Sequence, residues 1–215
     1  MTEAFLAPVP YVPLPARLAV FLSGRGSNFE ALAEACRTGE LPARIVAVVS
    51  DRPEAPGLGT AERLGLRAVA VDRRRFPSRE AHEAAMAEAV VAHEADLICL
   101  AGFMRILSPP FVDRFRLKIL NIHPALLPSF PGKDAQAQAI SYGVKVTGVT
   151  VHFVDSGMDT GPIVAQEAVS VAEGEDCAAL SARLLRVEHR LYRSSLRKVL
   201  EGGWVLTERS VAFSD

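Results

Sequence analysis

Apolar runs of strand length alternate with stretches of helical periodicity for most of this chain. Residues 17–23 (Arg-Leu-Ala-Val-Phe-Leu-Ser) predict a buried parallel strand. A glycine loop follows, and then a helix over 27–38. Further strands are predicted at 44–50, 67–71 and 96–101, with a short helix over 60–64 and a longer one from Ser78 to 93. Glu80 and Glu83 stand near the start of that longer helix, where the helix dipole favours acids. A helical piece follows Ser108-Pro109-Pro110, and a short strand is expected at 118–120. This strand–helix rhythm implies an α/β fold, with a mostly parallel twisted sheet covered by helices on both faces.

The second half of the pattern differs. A proline-rich loop over 124–131 leads to a helix at 134–142, with Gly143 as its stop. Residues 145–154 and 163–171 predict two long strands joined by 155–162, hence an antiparallel C-terminal portion. Residues 175–200 form a long amphipathic helix ended by Gly202-Gly203. With no repeat and no composition break, the division expected is a flexible extension over 1–16, one domain over 17–204 and a tail over 205–215.

Composition narrows the function classes. Hydrophobic residues make up 49% of 215, ample for a core, yet no apolar run approaches the roughly 20 residues of a membrane-spanning helix. A net charge of −1 argues against a general nucleic-acid binder and leaves room for a local cationic pocket. Cys36, Cys99 and Cys177 are widely spaced, and residues 1–15 lack the charged and apolar regions of a signal peptide. Reduced thiols in a cytoplasmic protein are expected, with Cys99 in the core. The chain has no HExxH and no Cys/His cluster, so no metal is expected.

The candidate chemistry gathers at strand ends. Ser23-Gly24-Arg25-Gly26-Ser27-Asn28 joins the first strand to the first helix. Glycines there let backbone N–H groups approach an anion at a helix N-terminus, and Ser27 could cap the helix. The alternative is a tight turn with an ordinary cap. The loop fits neither a dinucleotide fingerprint, since Phe29 stands at the third glycine, nor a P-loop. Asp51, after the second strand, suits a ribose hydroxyl or an exposed turn.

Asn121-Ile122-His123-Pro124 follows the short strand. Asn121 and His123, one residue apart, face the same way in extended chain. An amide and an imidazole there can stabilise an oxyanion or move a proton. Asp159 lies in a glycine-bounded loop that suits a positioned carboxylate, or simply a turn. None of the three is an obvious nucleophile, which points to direct transfer between two bound substrates. Asp72-Arg73-Arg74-Arg75 reads as a solvated turn, and Arg79 as either a surface ion pair or an anion contact.

Four blocks together resemble the phosphoribosylglycinamide formyltransferases, the folate-dependent enzymes of purine biosynthesis. They are residues 23–28, residues 100–108 (Leu-Ala-Gly-Phe-Met-Arg-Ile-Leu-Ser), residues 119–124 and residues 148–154 running on to Met158-Asp159-Thr160-Gly161-Pro162. The resemblance spans about 17–204 and implies a Rossmann-like formyltransferase fold. It implies that Gly26, Ser27 and Asn28 hold the phosphate of glycinamide ribonucleotide, with Arg79 and Glu188 near the same substrate. It places Met104, Arg105, Ile106 and Leu107 against the folate, with Val154 and Asp155 in a loop that closes on the pterin. It makes Asn121, His123 and Asp159 the catalytic triad. The co-substrate implied is 10-formyltetrahydrofolate. The partners are small molecules, with no nucleic acid or membrane, in a monomer or homodimer. A cis bond at Leu127-Pro128 is also implied. Many members carry a supporting histidine segment after Pro131-Gly132, and here Lys133-Asp134-Ala135-Gln136 stands instead. Related readings are a methionyl-tRNA formyltransferase, a formyltetrahydrofolate hydrolase and a non-catalytic folate or nucleotide sensor. The first two usually carry an added domain at the C- or N-terminus, for which these flanks look too short.

Overall fold

The computed structural model describes residues 12–207 and 209–213. Nine strands form one sheet in the order β3-β2-β1-β4-β5-β6-β7-β9-β8. The parallel part comprises β1 (Ala16–Leu22), β2 (Ala43–Ser50), β3 (Ala68–Ala70), β4 (Leu97–Leu100) and β5 (Ile119–His123). The strands β6 (Val146–Phe153) and β7 (Ile163–Ser170) then add in antiparallel fashion, as their long apolar patterns predict.

Alternation along β1 decides which helices go where. Leu18, Val20 and Leu22 point to one face, packing with Phe29 and Leu32 of α1 (Ser27–Thr38), Leu58 of α2 (Pro56–Arg63) and Leu184 and Leu196 of α6 (Cys177–Glu201). Ala19 and Phe21 point to the other, meeting Met86 and Val90 of α3 (Arg79–Ala92) and Phe111 of α4 (Pro109–Arg114). Strands buried on both faces read as continuous apolar runs for this reason. Cys99 is fully buried in the first cluster, and burial pushes its thiol up to about 12. Helix α5 (Ala135–Tyr142) ends at Gly143, which adopts φ 81.

Two expectations change. Strand β5 runs on through Asn121 to His123, because β6 pairs with it there: Asn121 faces His152 and His123 faces Thr150. That partner lies some thirty residues downstream (positions 150–152 against 121–123), out of reach of local pattern reading. Within the region expected as a tail, the described residues 205–207 and 209–213 carry strands. Strands β8 (Trp204–Thr207) and β9 (Ser210–Phe213) form a hairpin on the sheet edge, and Trp204 is buried against Phe153 at 5.0 Å between ring centroids. The Leu127–Pro128 peptide is cis. Most of the expected N-terminal extension lies outside the described residues.

Candidate active site

At the carboxyl ends of β1, β4 and β5 lies a cleft of about 1090 Å³. Sheet order reverses between β1 and β4, and such switch points are where open α/β sheets collect ligands. The lining comes from the glycine loop, the segment after β4, the end of β5, the loops after β5 and β6, and one face of α6. A second hollow of about 680 Å³ beside α2 shares Arg25 with the cleft and contains none of the predicted site residues.

Gly26, not Ser27, is the N-cap of α1. It adopts φ 79, and a Cβ there would come within 2.9 Å of Leu22 Cδ2. Ser27 is the first helical residue and lines the cleft beside Arg25 and Asn28. Asn28 is buried, and its Nδ2 donates to Glu188 Oε2 across 2.6 Å. Its Oδ1 is buried without a partner, an acceptor left for something entering the cleft. Burial raises the Glu188 carboxyl above its ordinary value, opposed by the Asn28 hydrogen bond.

Asn121, His123 and Asp159 all line the cleft. Asp159 Oδ2 lies 3.5 Å from His123 Nδ1. The His123 ring is fixed from its other side, since Nε2 lies 2.8 Å from the carbonyl oxygen of Phe130. A carbonyl only accepts, so the proton is on Nε2 and the Nδ1 position faces Asp159. Asp159 also accepts from the Gly132 amide at 2.7 Å. Gly132 has φ 82, and a Cβ on it would sit 3.1 Å from the Met158 sulfur. Asp159 itself has φ 55, unusual for a residue with a side chain and frequent at functional sites.

A further residue, His152, belongs to this centre and sequence reasoning gave it no role. Its Nδ1 donates to the Phe153 carbonyl at 2.8 Å, so Nε2 is free to accept from Asn121 Nδ2 at 3.1 Å. Burial lowers the His152 pKa, so the ring is neutral and its 3.7 Å approach to Asp159 Oδ1 is not an ion pair. The available signal was the cross-strand pairing of His152 with Asn121, which places both side chains on one face. Asn121, His123 and Asp159 are thus held by His152 and by the backbone of Phe130 and Gly132.

Met104, Arg105, Ile106 and Leu107 line the cleft, the first three with exposed side chains and Leu107 buried. Val154 and Asp155 line it too, and Asp155 shapes its loop by accepting from the Gly157 amide at 3.0 Å and the Thr160 hydroxyl at 2.7 Å. Arg79 is not among the lining residues. Its guanidinium pairs with Glu83 at 2.9 Å and donates to the Ile106 carbonyl. Glu83, expected only as an acid near the helix start, is itself buried. Asp51 is neither exposed nor open to a ribose; it is buried and accepts from the Ser23 hydroxyl at 2.6 Å. Arg25, Lys133 and Leu185 also line the cleft, outside the predicted set.

The formyl transferase family model matches residues 16–196. The phosphoribosylglycinamide formyltransferase of Mycobacterium tuberculosis is 45% identical over 196 residues, covering 91% of this chain and 90% of that protein. The chain belongs to the phosphoribosylglycinamide formyltransferase family. A solved structure of glycinamide ribonucleotide transformylase 1 from Symbiobacterium toebii superposes with a TM-score of 0.91 at 47% identity, covering 93% of this chain and 94% of that one. The trifunctional purine biosynthetic protein adenosine-3 of Bos taurus is 43% identical over 196 residues, and there this chain spans only 19% of the relative's length. Family, enzyme class and fold are thus as the four sequence blocks implied. Among the described residues, no helix is long and apolar enough to cross a membrane.

Proposed function

We propose that this chain transfers the formyl group of 10-formyltetrahydrofolate to the amine of glycinamide ribonucleotide, a step of purine biosynthesis. The observation that carries the reading is the convergence of Asn121, His123 and Asp159 in one cleft, between a helix N-terminus and an apolar wall. The N-terminus of α1, with Gly26 and Ser27, suits the ribonucleotide phosphate. The unpartnered Asn28 Oδ1 and the Glu188 carboxyl beside it suit the ribonucleotide's hydroxyl groups. Exposed Met104, Ile106 and Met158 suit the folate ring system, and Arg105 its carboxylates.

The chemistry follows from the hydrogen-bond assignments. One N–H of Asn121 is committed to His152, and the other is free for an oxygen in the cleft. The ribonucleotide amine attacks the formyl carbon, forming the new C–N bond while the carbonyl oxygen gains charge. Asn121 donates its free N–H to that oxygen; fixed donors in a dry cleft are worth far more than water. The open Nδ1 of His123, facing Asp159, is the ring position that can take the amine proton. Asp159 then relays the amine proton toward the folate nitrogen as its bond to the formyl carbon breaks. At 3.5 Å the His123–Asp159 contact is longer than a direct hydrogen bond, so a bridging water or closure on substrate completes the path. Holding the two substrates in line supplies much of the remaining acceleration.

The test is a spectroscopic assay of the purified chain with 10-formyltetrahydrofolate, with and without glycinamide ribonucleotide. Conversion of the folate only when the ribonucleotide is present supports the reading. Equal conversion without it would replace the transferase by a hydrolase. Binding of both ligands with no conversion would favour a sensor.

A further inference from the structure

The wall-forming segment 102–108, the strap, packs Phe103 and Leu107 into the core and leaves Met104, Arg105 and Ile106 exposed between them. It is also fastened at both ends by polar groups that the proposed reaction does not use. At its start, the Ser23 amide donates to the Gly102 carbonyl at 3.0 Å, and the Met104 amide donates to the Ser23 hydroxyl oxygen at 2.9 Å. That hydroxyl donates in turn to Asp51 Oδ1 at 2.6 Å. With its proton committed to Asp51, the Ser23 hydroxyl is held in one orientation with its lone pairs turned to the Met104 amide.

At the far end the Ser108 amide lies 3.1 Å from each carboxylate oxygen of Glu83, and the Ser108 hydroxyl donates to the same group. Ser108 precedes α4 but makes no side-chain cap, because its hydroxyl is turned to Glu83. Arg79 Nε also donates to Glu83, and its Nη2 holds the Ile106 carbonyl. Asp51 and Glu83 are only 6% and 5% exposed. A buried carboxylate persists where donors satisfy it, and here those donors belong to the strap or to residues that grip it.

We infer that Asp51 and Glu83 are positioning residues that preorganise the strap for the folate co-substrate, Asp51 through Ser23 and Glu83 through Ser108 and Arg79. The inference rests on the reading of the strap as the folate wall given above. Ser23 also begins the glycine loop, so the Asp51 anchor joins the two substrate sides of the cleft through a single residue.

The test uses the full chain carrying Asp51→Ala, Asp51→Asn, Glu83→Ala or Glu83→Gln. Three readouts are taken: affinity for a dideaza analogue of the folate, affinity for the ribonucleotide, and hydrogen exchange at the Met104 and Ser108 amides. Loss of either carboxylate should weaken folate binding about tenfold, the effect of unmaking one buried charge-assisted bond. Ribonucleotide affinity should stay near wild type in the Glu83 variants. Exchange should quicken at Met104 in Asp51→Ala and at Ser108 in Glu83→Ala. Asp51→Asn keeps an acceptor for Ser23 and should restore much of the loss. Should Asp51→Ala or Glu83→Ala not fold, Ser23→Ala and Ser108→Ala remove the hydroxyl bonds to the same carboxylates at smaller cost and carry the test. Folded variants with wild-type exchange and folate affinity would overturn the inference. Quickened exchange in a chain whose wild type has no folate affinity would keep the anchors but overturn their assignment to folate, and with it the functional reading.

Discussion

His123 and His152 lie on neighbouring strands and carry opposite tautomers. The Phe130 carbonyl takes the Nε2 proton of His123, and the Phe153 carbonyl takes the Nδ1 proton of His152. One ring therefore turns its open nitrogen to Asp159, and the other to the Asn121 amide. His152→Phe should lower turnover more than ligand affinity, because it frees the Asn121 amide to rotate; equal losses in turnover and in both binding constants would count against that role. Arg105→Ala should weaken folate binding more than ribonucleotide binding, and equal losses in calorimetry would contradict its place on the folate side. Glu188 gives a pH prediction. Its carboxyl is raised by burial, so folding is least penalised below the ordinary glutamate value and loses stability as pH rises from there through the raised folded value. Glu188→Gln keeps an acceptor for Asn28 and should flatten that slope, gaining relative to wild type at pH 7 and not at pH 4; parallel denaturation midpoints across that range would refute it. Asn121, His123 and Asp159 were legible in the sequence because strand ends and glycine-bounded loops flag such groups. His152 was not, since a histidine among apolar strand residues acquires meaning only from the strand beside it.

At the scale of elements, α6 holds the cleft together. The Tyr192 hydroxyl lies 3.1 Å from the carbonyl oxygens of Leu100, at the end of β4 near the strap, and Leu120, within β5 beside Asn121. Burial raises its pKa far enough that it stays a donor. Tyr192→Phe should cost ~1–3 kcal/mol in urea unfolding, since buried carbonyls lose a donor and water cannot replace it. The helices and the parallel strands were readable from periodicity to within a few residues, the usual spread at element ends. Strand β5 was misjudged at its end for a definite reason. Asn121 and His123 look polar enough to end a strand, but the antiparallel partner β6 keeps the ladder going until Pro124, which has no N–H to give. Of the two readings of Arg79, the ion pair is the one seen: Glu83 lies four residues on along the same helix, and only the Ile106 carbonyl is brought to it by the fold.

For the whole molecule, the sheet continues past α6 instead of ending there. Glycines at 202 and 203 end α6 as expected, with Gly202 as its C-cap, and also turn the chain into β8, both with positive φ. Trp204 then closes the core against Phe153, with its indole N–H on the Val199 carbonyl at 3.2 Å. Trp204→Ala should destabilise the chain by ~3–5 kcal/mol in denaturant unfolding, the range for removing a large buried aromatic. A loss under ~1 kcal/mol would mean that the hairpin adds little to the core. The same architecture sets glycine loop, strap and triad around one cleft at the sheet's switch point, and the account depends on that convergence being catalytic. The most direct measurement is turnover beside the affinities for folate and ribonucleotide in His123→Ala and Asp159→Asn. Turnover should fall by about 10²–10⁴ with both ligands still binding, as expected when a proton-transfer group is lost from an intact site. Near-normal turnover in both folded variants would contradict the assignment of the triad.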